Sequence, residues 1–382
     1  MTPRILFVAS LHHPETLQRE RHNAQQNGTV SPLFPSSMSL RFWEKAMRKQ
    51  GYTLDIFWRN LPSFSKQDIT SIKADTYTAR ITPQRIMQAV MQRLPYNINL
   101  ELRQRNHHLL THARQFQPTH IWMIGDNRSI HADTLATIKA ETGCKLIYST
   151  GTSPIVFSHA IERQAAELYD LVITNDYYHG IQWRELGAKD MLCLPVVAID
   201  PEFHYLRQAM DAKTVDVGFV GTLIPENLYG ERVVALEALT GFDLGIWSVH
   251  DVPASLKPYV RGSALGESML EVLSQAKICL NVHGNFMRYG GNMRLFEAAS
   301  VGAFQIVDER SGIHEWFNVG EHLVMFEGLQ DLRDKVTYYL AHDDERMQIA
   351  ETARAHVIQH HTYEKRLQRL MQHPVFAEST SS

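Results

Sequence analysis

The residues best suited to chemistry lie between Asn281 and Asp308, in the run NVHGNFMRYGGNMRLFEAASVGAFQIVD. An apolar stretch, Ile278 to Val282, ends in His283-Gly284. A polar loop then leads through Gly290, Gly291 and Asn292 into a helical pattern carrying Arg294 and Glu297. Glycines let backbone approach an anion closely. Asn292 stands where a helix cap is expected. Arg294 and Glu297 are three apart, so they share one face near the helix start. Amides and a guanidinium stabilise phosphate, and a carboxylate accepts hydrogen bonds from hydroxyls. Such a set suits a nucleotide diphosphate-sugar. The competing reading is an Arg–Glu surface pair on an amphipathic helix, and the glycine pair tilts the balance toward a ligand.

A second candidate is VGFVGT, Val217 to Thr222. There a strand runs into Gly218 and Gly221, with Thr222 beyond them and a helix soon after. A phosphate-binding turn and a plain tight turn fit equally well. The third glycine of a dinucleotide fingerprint is missing. Arg232 opens the next helix, placed to reach back to a diphosphate, although alone it reads as a solvated helix residue. In the first half of the chain, His12, His13, Asp126 and Asp176 follow strand-like runs. A carboxylate or imidazole there would orient an acceptor hydroxyl or take its proton, while loop capping competes at each position. Asp126 joins Arg294 and Glu297 as a candidate catalytic group.

Composition narrows the classes. Lys plus Arg is 38 against 41 for Asp plus Glu, a formal charge of -3, which argues against a broad nucleic-acid footprint. The 20 histidines include the adjacent pairs His12-His13, His107-His108 and His360-His361. Neighbours on a helix do not face each other, no metal-ligand spacing occurs, and surface positions are expected for them. Cys144, Cys193 and Cys279 are scattered, which suits reduced thiols rather than a disulfide framework. No signal-peptide pattern or membrane-spanning run is read, so a cytoplasmic location is expected, with peripheral membrane contact left open.

The elements that must position these residues alternate between short β-rich runs and helical patterns. Strands are expected at Arg4–Ala9, Leu54–Trp58, Ile121–Ile124, Lys145–Tyr148 and Leu171–Thr174, with helices at Leu40–Gln50 and Leu100–Phe116. The stretch from Leu61 to Arg93 mixes strand-like and helix-like pieces. A Pro-containing segment, Leu194 to His204, breaks the pattern before a second series begins at Val215. That series has strands at Val215–Val220, Leu244–Trp247, Ile278–Val282, Phe304–Val307 and Leu323–Phe326, with helices at 229–239, 269–276, 293–300 and 329–340. Alternation of this kind implies α/β architecture: two Rossmann-like, doubly wound parallel sheets with a helical tail. The divisions are an acceptor-side domain at 1–197, a linker at 198–214, a donor-binding domain at 215–360 and a C-terminal helix and tail at 361–382. Ligands of such sheets sit at the carboxyl ends of strands, and a cleft between the domains is the expected pocket.

The stretch Asn292-Met293-Arg294-Leu295-Phe296-Glu297-Ala298-Ala299 with Gly302 resembles the signature of CgeB-type, group 1-like glycosyltransferases. Glu315-Trp316-Phe317, Gly320-Glu321, His361-Thr362-Tyr363 with Arg366, Gly218 to Gly221 and Glu231-Arg232 are also similar. The resemblance covers roughly Leu168 to Leu370. It implies a GT-B fold with a nucleotide-sugar donor in the C-terminal domain, near Gly218, Gly221, Thr222, Arg232, His283, Gly290, Gly291 and Asn292. It also implies a ribose contact from Glu297, and retaining, metal-independent hexosyl transfer with no cofactor beyond the donor. Group 1 enzymes often carry a second glutamate eight residues earlier, where this chain has Tyr289. They also show an acidic residue near a run that here is Ser149-Thr150-Gly151-Thr152. The acceptor would be a polysaccharide, a protein or a small molecule. A non-catalytic envelope or spore-coat protein of the same fold is the alternative, and a nucleotide-sugar epimerase a third reading.

Overall fold

The computed structural model describes residues 2–61, 69, 96–195, 197–207 and 213–377. Most of the ambiguous stretch from Leu61 to Arg93 lies outside them. The chain divides into two units, Met1–Thr174 with His179–Leu192 and Arg369–Ser382, and Asn175–Tyr178 with Cys193–Gln368.

The first unit is built on β1 (Arg4–Ala9), β2 (Thr53–Trp58), β3 (His120–Ile124), β4 (Lys145–Thr150), β5 (Leu171–Thr174) and β6 (Met191–Cys193). Its helices are α1 (Pro14–Gln26), α2 (Leu40–Lys49), α3 (Leu100–Phe116), α4 (Ala132–Thr142), α5 (Ala160–Gln164) and α6 (Tyr177–Glu185). The strand order is β2-β1-β3-β4-β5-β6, and the ladders from β2 to β5 are parallel. Strands buried on both faces read as unbroken apolar runs, and Ile5 to Ala9 are all fully buried. Asn99 caps α3 by accepting from the Leu102 amide, and α4 ends at Gly143 with φ 67°, a conformation glycine adopts without strain.

The second unit carries β7 (Val215–Val220), β8 (Leu244–Trp247), β9 (Val260–Gly262), β10 (Ala276–Asn281), β11 (Phe304–Asp308) and β12 (Val324–Phe326). Its helices are α7 (Glu226–Glu237), α8 (Glu267–Gln275), α9 (Arg294–Ser300), α10 (Gly328–Ala341), α11 (Asp343–His360) and α12 (Tyr363–Met371). The order is β12-β11-β10-β7-β8-β9, again parallel. One core cluster joins α7 and α10 to the sheet through Leu236, Leu280, Ile306 and Leu332. Others form with α8, through Leu270, Cys279 and Ala298, and with α9 and α11, through Phe296, Ile313 and Val357. In both units, then, the architecture is the doubly wound α/β sheet expected from the pattern.

The segment expected to be a linker is not a solvated tether. Leu194, Ala198 and Ile199 are fully buried, and Ile199 bridges Thr362 in parallel register. The sequence pattern also misses α1, β6 and β9. The latter two have three residues each, too few to show a period.

Candidate functional site

The carboxyl ends of β7, β10 and β11 organise one loop, His283 to Met293. At its start, Asp308 at the end of β11 receives both the His283 amide (2.9 Å) and the His283 ring at Nδ1 (2.6 Å). The carboxylate can only accept, so Nδ1 carries a proton. Burial works to raise the Asp308 carboxyl, but His283 and Arg310 outweigh it and hold it below the usual carboxylate range. Arg310 Nη2 stands 2.9 Å from Asp308 Oδ2, a charge contact without hydrogen-bond alignment, and donates to Glu231 at 2.6 Å.

Farther along, Asn285 ties the loop to α7. Its amide donates to Leu228 O at 2.9 Å, and its side-chain oxygen accepts from the Glu231 amide at 3.2 Å. The next turn is set by a residue far away in sequence. Asp176 Oδ2 accepts three successive amides, Arg288 (2.8 Å), Tyr289 (2.8 Å) and Gly290 (2.9 Å), while Oδ1 takes Tyr178 N at 2.8 Å. Asp176 is fully buried. With both oxygens engaged by backbone amides and no surface exposed, this carboxylate is closed to an acceptor hydroxyl. Asp176 is therefore an anchor of this loop and not an acceptor-side base.

Glycine is required here for space rather than for φ. A Cβ on Gly290 would lie 1.7 Å from Asn175 O, and one on Gly291 would lie 2.6 Å from Leu295 Cδ1. A Cβ on Gly312 would lie 1.8 Å from Tyr289 O. Tyr289, in the place of the expected glutamate, hydrogen-bonds Glu315, which pushes its phenol up to about 12. Asn292 does not cap the helix. Met293 is the N-cap residue, without a side-chain bond, and Asn292 Nδ2 turns back to Asn281 Oδ1 at 2.7 Å. Asn281 in turn leans on Gln305 at 3.4 Å, and Gln305 donates to Leu295 O, so a buried amide chain sets the approach to α9.

On α9, Arg294 Nη1 donates to Glu297 Oε2 at 2.7 Å and also meets the Met269 sulfur. The two side chains are 15% and 9% exposed, so this is no surface pair. Arg232, read alone as solvated, is largely buried. Its Nε donates to Val282 O (2.7 Å) and its Nη1 to Thr222 O (2.9 Å), stitching the end of β10 to the loop after β7. Burial brings its guanidinium down to about 10, which leaves it charged at neutral pH. Gly221 lies in that loop, its amide donating to Trp247 O. Gly218 does not. It is inside β7, where a Cβ would lie 2.8 Å from Ala276 Cβ, so its role is close strand packing.

The second unit thus brings together Gly221, Thr222, Arg232, His283, Gly290, Gly291, Asn292, Arg294 and Glu297. Asp126 belongs to the first unit, exposed, at φ 64° and paired with Arg128 at 2.7 Å. In that unit Arg59, overlooked in the sequence, is buried and donates to Ser10 Oγ and to the carbonyls of Ile124 and Gly125, tying the ends of β1 and β3. Glu162, also overlooked and buried, receives the Asn127 amide, the Tyr148 hydroxyl and the His159 amide.

Surface placement holds for His12, His13, His107 and His360, whereas His108 and His361 are partly buried. His361 packs beside His356 and accepts from Arg366 at Nδ1, and burial, then Arg366 and His356, pushes it down to about 3. Among the described residues no group of three or more His, Cys, Asp or Glu is placed to hold a metal. None of the three cysteines forms a disulfide, and no described helix is long and apolar enough to cross a membrane.

Residues 231–372 match the model of a glycosyl transferase-like family. No curated protein matches the chain in sequence. In fold the chain is similar to HepE of Anabaena in complex with UDP-glucose, at 12% identity and TM-score 0.56 over 97% of this chain and 98% of that one. It is similar to sucrose-phosphate synthase of Thermosynechococcus elongatus, at 11% identity and TM-score 0.60 over 97% and 98%. It is also similar to an alpha-glucosyltransferase solved with UDP-glucose and DNA containing an abasic site, at 7% identity and TM-score 0.62 over 97% and 99%. At such identities the likeness is one of fold, and the fold is that of the GT-B glycosyltransferases.

Proposed function

We propose that the protein is a nucleotide-sugar-dependent glycosyltransferase of the CgeB-type, group 1-like kind, moving a hexosyl group to a hydroxyl of a glycan, protein or small molecule. The observation that carries this reading is the loop from His283 to Met293. Side chains and excluded volume fix its path, yet His283 Nε2, Asn292 Oδ1 and, just beyond it, Arg294 Nε are buried without a protein partner. Buried polar atoms are normally satisfied, and a rigid loop edged by orphaned ones is organised for a polar ligand. The family match over residues 231–372 supports a nucleotide-sugar as that ligand. Two fold relatives hold UDP-glucose, which makes UDP the first nucleotide to try.

On this reading Glu297 accepts hydrogen bonds from the ribose, and Arg294 faces the developing charge of the leaving diphosphate. Arg232 and Gly221 position that end of the sheet. The acceptor oxygen bonds to the anomeric carbon as the bond from that carbon to the phosphate oxygen breaks. The acceptor proton passes to the leaving diphosphate. Transfer then retains configuration and calls on no metal, and Asp126 is the first-unit carboxylate to test for orienting the acceptor. Cysteines outside any disulfide fit a reducing, cytoplasmic setting.

The test is a thermal-shift comparison of UDP, GDP, CDP, ADP and TDP. A ligand that binds only the folded state raises its melting temperature. We expect a shift with one of them, UDP first, that disappears in Glu297→Ala. A well-folded protein that responds to none of them favours the non-catalytic assembly role.

A further inference from the structure

Three tyrosines of the second unit stand together at its surface. Tyr177 and Tyr178, at the start of α6, are 45% and 51% exposed. Tyr289 immediately precedes the glycine pair of the candidate donor loop. Ring centroids are 5.5 Å apart for Tyr177 and Tyr289, 6.1 Å for Tyr178 and Tyr289, and 6.4 Å for Tyr177 and Tyr178. Single exposed aromatics need no explanation, but a cluster of them marks a surface that meets something.

The cluster is also held rigid. Asp176 receives the Tyr178 amide on one oxygen and the Tyr289 amide on the other, so one buried carboxylate fixes the backbone beneath two of the rings. The Tyr289 hydroxyl is held in turn by the exposed Glu315 carboxylate. Rings fixed in this way lose little entropy when a ligand stacks on them.

We propose that Tyr177, Tyr178 and Tyr289, tilted 51° to 89° to one another, form an angled platform whose exposed ring faces stack a pyranose ring of the acceptor glycan. This rests on the glycosyltransferase reading and adds the acceptor's chemical class. A pyranose presents one face of C–H groups, which an electron-rich aromatic face attracts. Its rim of hydroxyls suits the phenols and the Glu315 carboxylate at the platform's edge. An aliphatic peptide would leave those groups unanswered, and an anionic ligand would be repelled by Glu315. The donor-site candidates Glu297, His283 and Gly290 are buried, whereas Tyr177 and Tyr178 are half exposed and Tyr289 is partly so. What stacks on them extends into solvent, as a glycan chain does.

The test is saturation-transfer NMR on the full chain with maltohexaose, cellohexaose and chitohexaose as probes. Wild type, a Tyr177→Ala/Tyr178→Ala variant and a Tyr177→Phe/Tyr178→Phe variant are compared, with UDP-induced thermal shift measured in parallel. We expect wild type to bind at least one hexaose. The alanine pair should weaken it about tenfold, the loss suited to two stacked rings. The phenylalanine pair should restore most of it, and all three proteins should respond to UDP alike. A wild type that binds none of the probes overturns the platform, as does an alanine pair that binds as well as wild type. If the alanine pair instead loses affinity for UDP-glucose while keeping that for UDP, the rings hold the donor's sugar and the acceptor assignment falls. Failure of UDP to shift any of the proteins strikes the donor reading alone, because hexaose binding is scored separately.

Discussion

Replacing Asp176 by alanine isolates the device that shapes the candidate donor loop. The change removes the acceptor of the Arg288, Tyr289 and Gly290 amides, at 2.8, 2.8 and 2.9 Å, and of the Tyr178 amide at 2.8 Å. A buried donor left without an acceptor costs about 1–3 kcal/mol. Four at full cost would rival the stability of a domain, so the loop will instead open and admit water. Hydrogen bonds to a charged acceptor contribute about 1.5–3 kcal/mol each, and water replaces most of the four once the loop opens. We therefore expect local opening favoured by about 3–4 kcal/mol, two to three decades at 1.4 kcal/mol each. The assay is native-state hydrogen exchange. Amides 288–290 should lose protection by about a hundred- to a thousandfold, while those of β1 and β3 keep theirs. Asp176→Asn should fall between, because one amide oxygen can still serve the three loop donors while the other position becomes a donor facing Tyr178 N. Thermal shift with the nucleotide should weaken in the same order. Wild-type exchange at 288–290 in the alanine variant would refute the argument.

Gly290→Ala places a methyl 1.7 Å from Asn175 O, so it should abolish the nucleotide-induced shift with far-UV circular dichroism unchanged. Gly241→Ala, with open space around its Cβ, is the control that must bind normally. Arg232→Met leaves the carbonyls of Val282 and Thr222 without their donor. It should cost about 2–4 kcal/mol, read as a lower urea midpoint, and an unmoved midpoint would mean water serves those carbonyls equally well. For pH, His361 is held down to about 3, mainly by burial and then by Arg366 and His356. The unfolded chain, with an ordinary imidazole near ~6.5, takes up the proton first. This contribution is therefore complete above ~6.5 and drains away as the pH falls from there toward about 3, about 2 kcal/mol of it by pH 5. His361→Gln should flatten the fall in melting temperature between pH 7 and 5, and an unchanged slope would place the titrating group elsewhere.

The fold was largely legible because its strands are continuous apolar runs. Arg4–Ala9, Leu171–Thr174, Val215–Val220 and Leu244–Trp247 coincide with the observed strands. Buried parallel strands need no alternation, so short Val- and Ile-rich runs between helical patterns mark them. What escaped was short or capped without a signal. α1 begins after His13 in a left-handed conformation, with Pro14 at its first turn and few apolar residues, so no period announces it. The segment after Leu194 reads as a linker because its prolines break every period, yet burial of Ala198 and Ile199 depends on what they meet, which no local pattern records.

The site was legible only where its determinants are neighbours in sequence. Gly290, Gly291, Arg294 and Glu297 announced themselves by spacing, and the structure gathers them. Gly218 has the same local look and turns out to be a strand residue, because a glycine that admits a ligand and one that admits Ala276 are written alike. Asp176 shows the deeper limit. It stands 112 to 114 residues before the amides it anchors. In the sequence it is one more carboxylate after a strand, indistinguishable from Asp126. Only burial separates them. The exposed carboxylate of Asp126 leaves an oxygen accessible to a substrate, while Asp176 is consumed by backbone donors. It follows that a strand-end carboxylate should be assigned to chemistry only after its donors have been counted. By that count, the carboxylate of Asp126 stays open to a ligand and Asp176 becomes the reason the glycine loop has a shape at all.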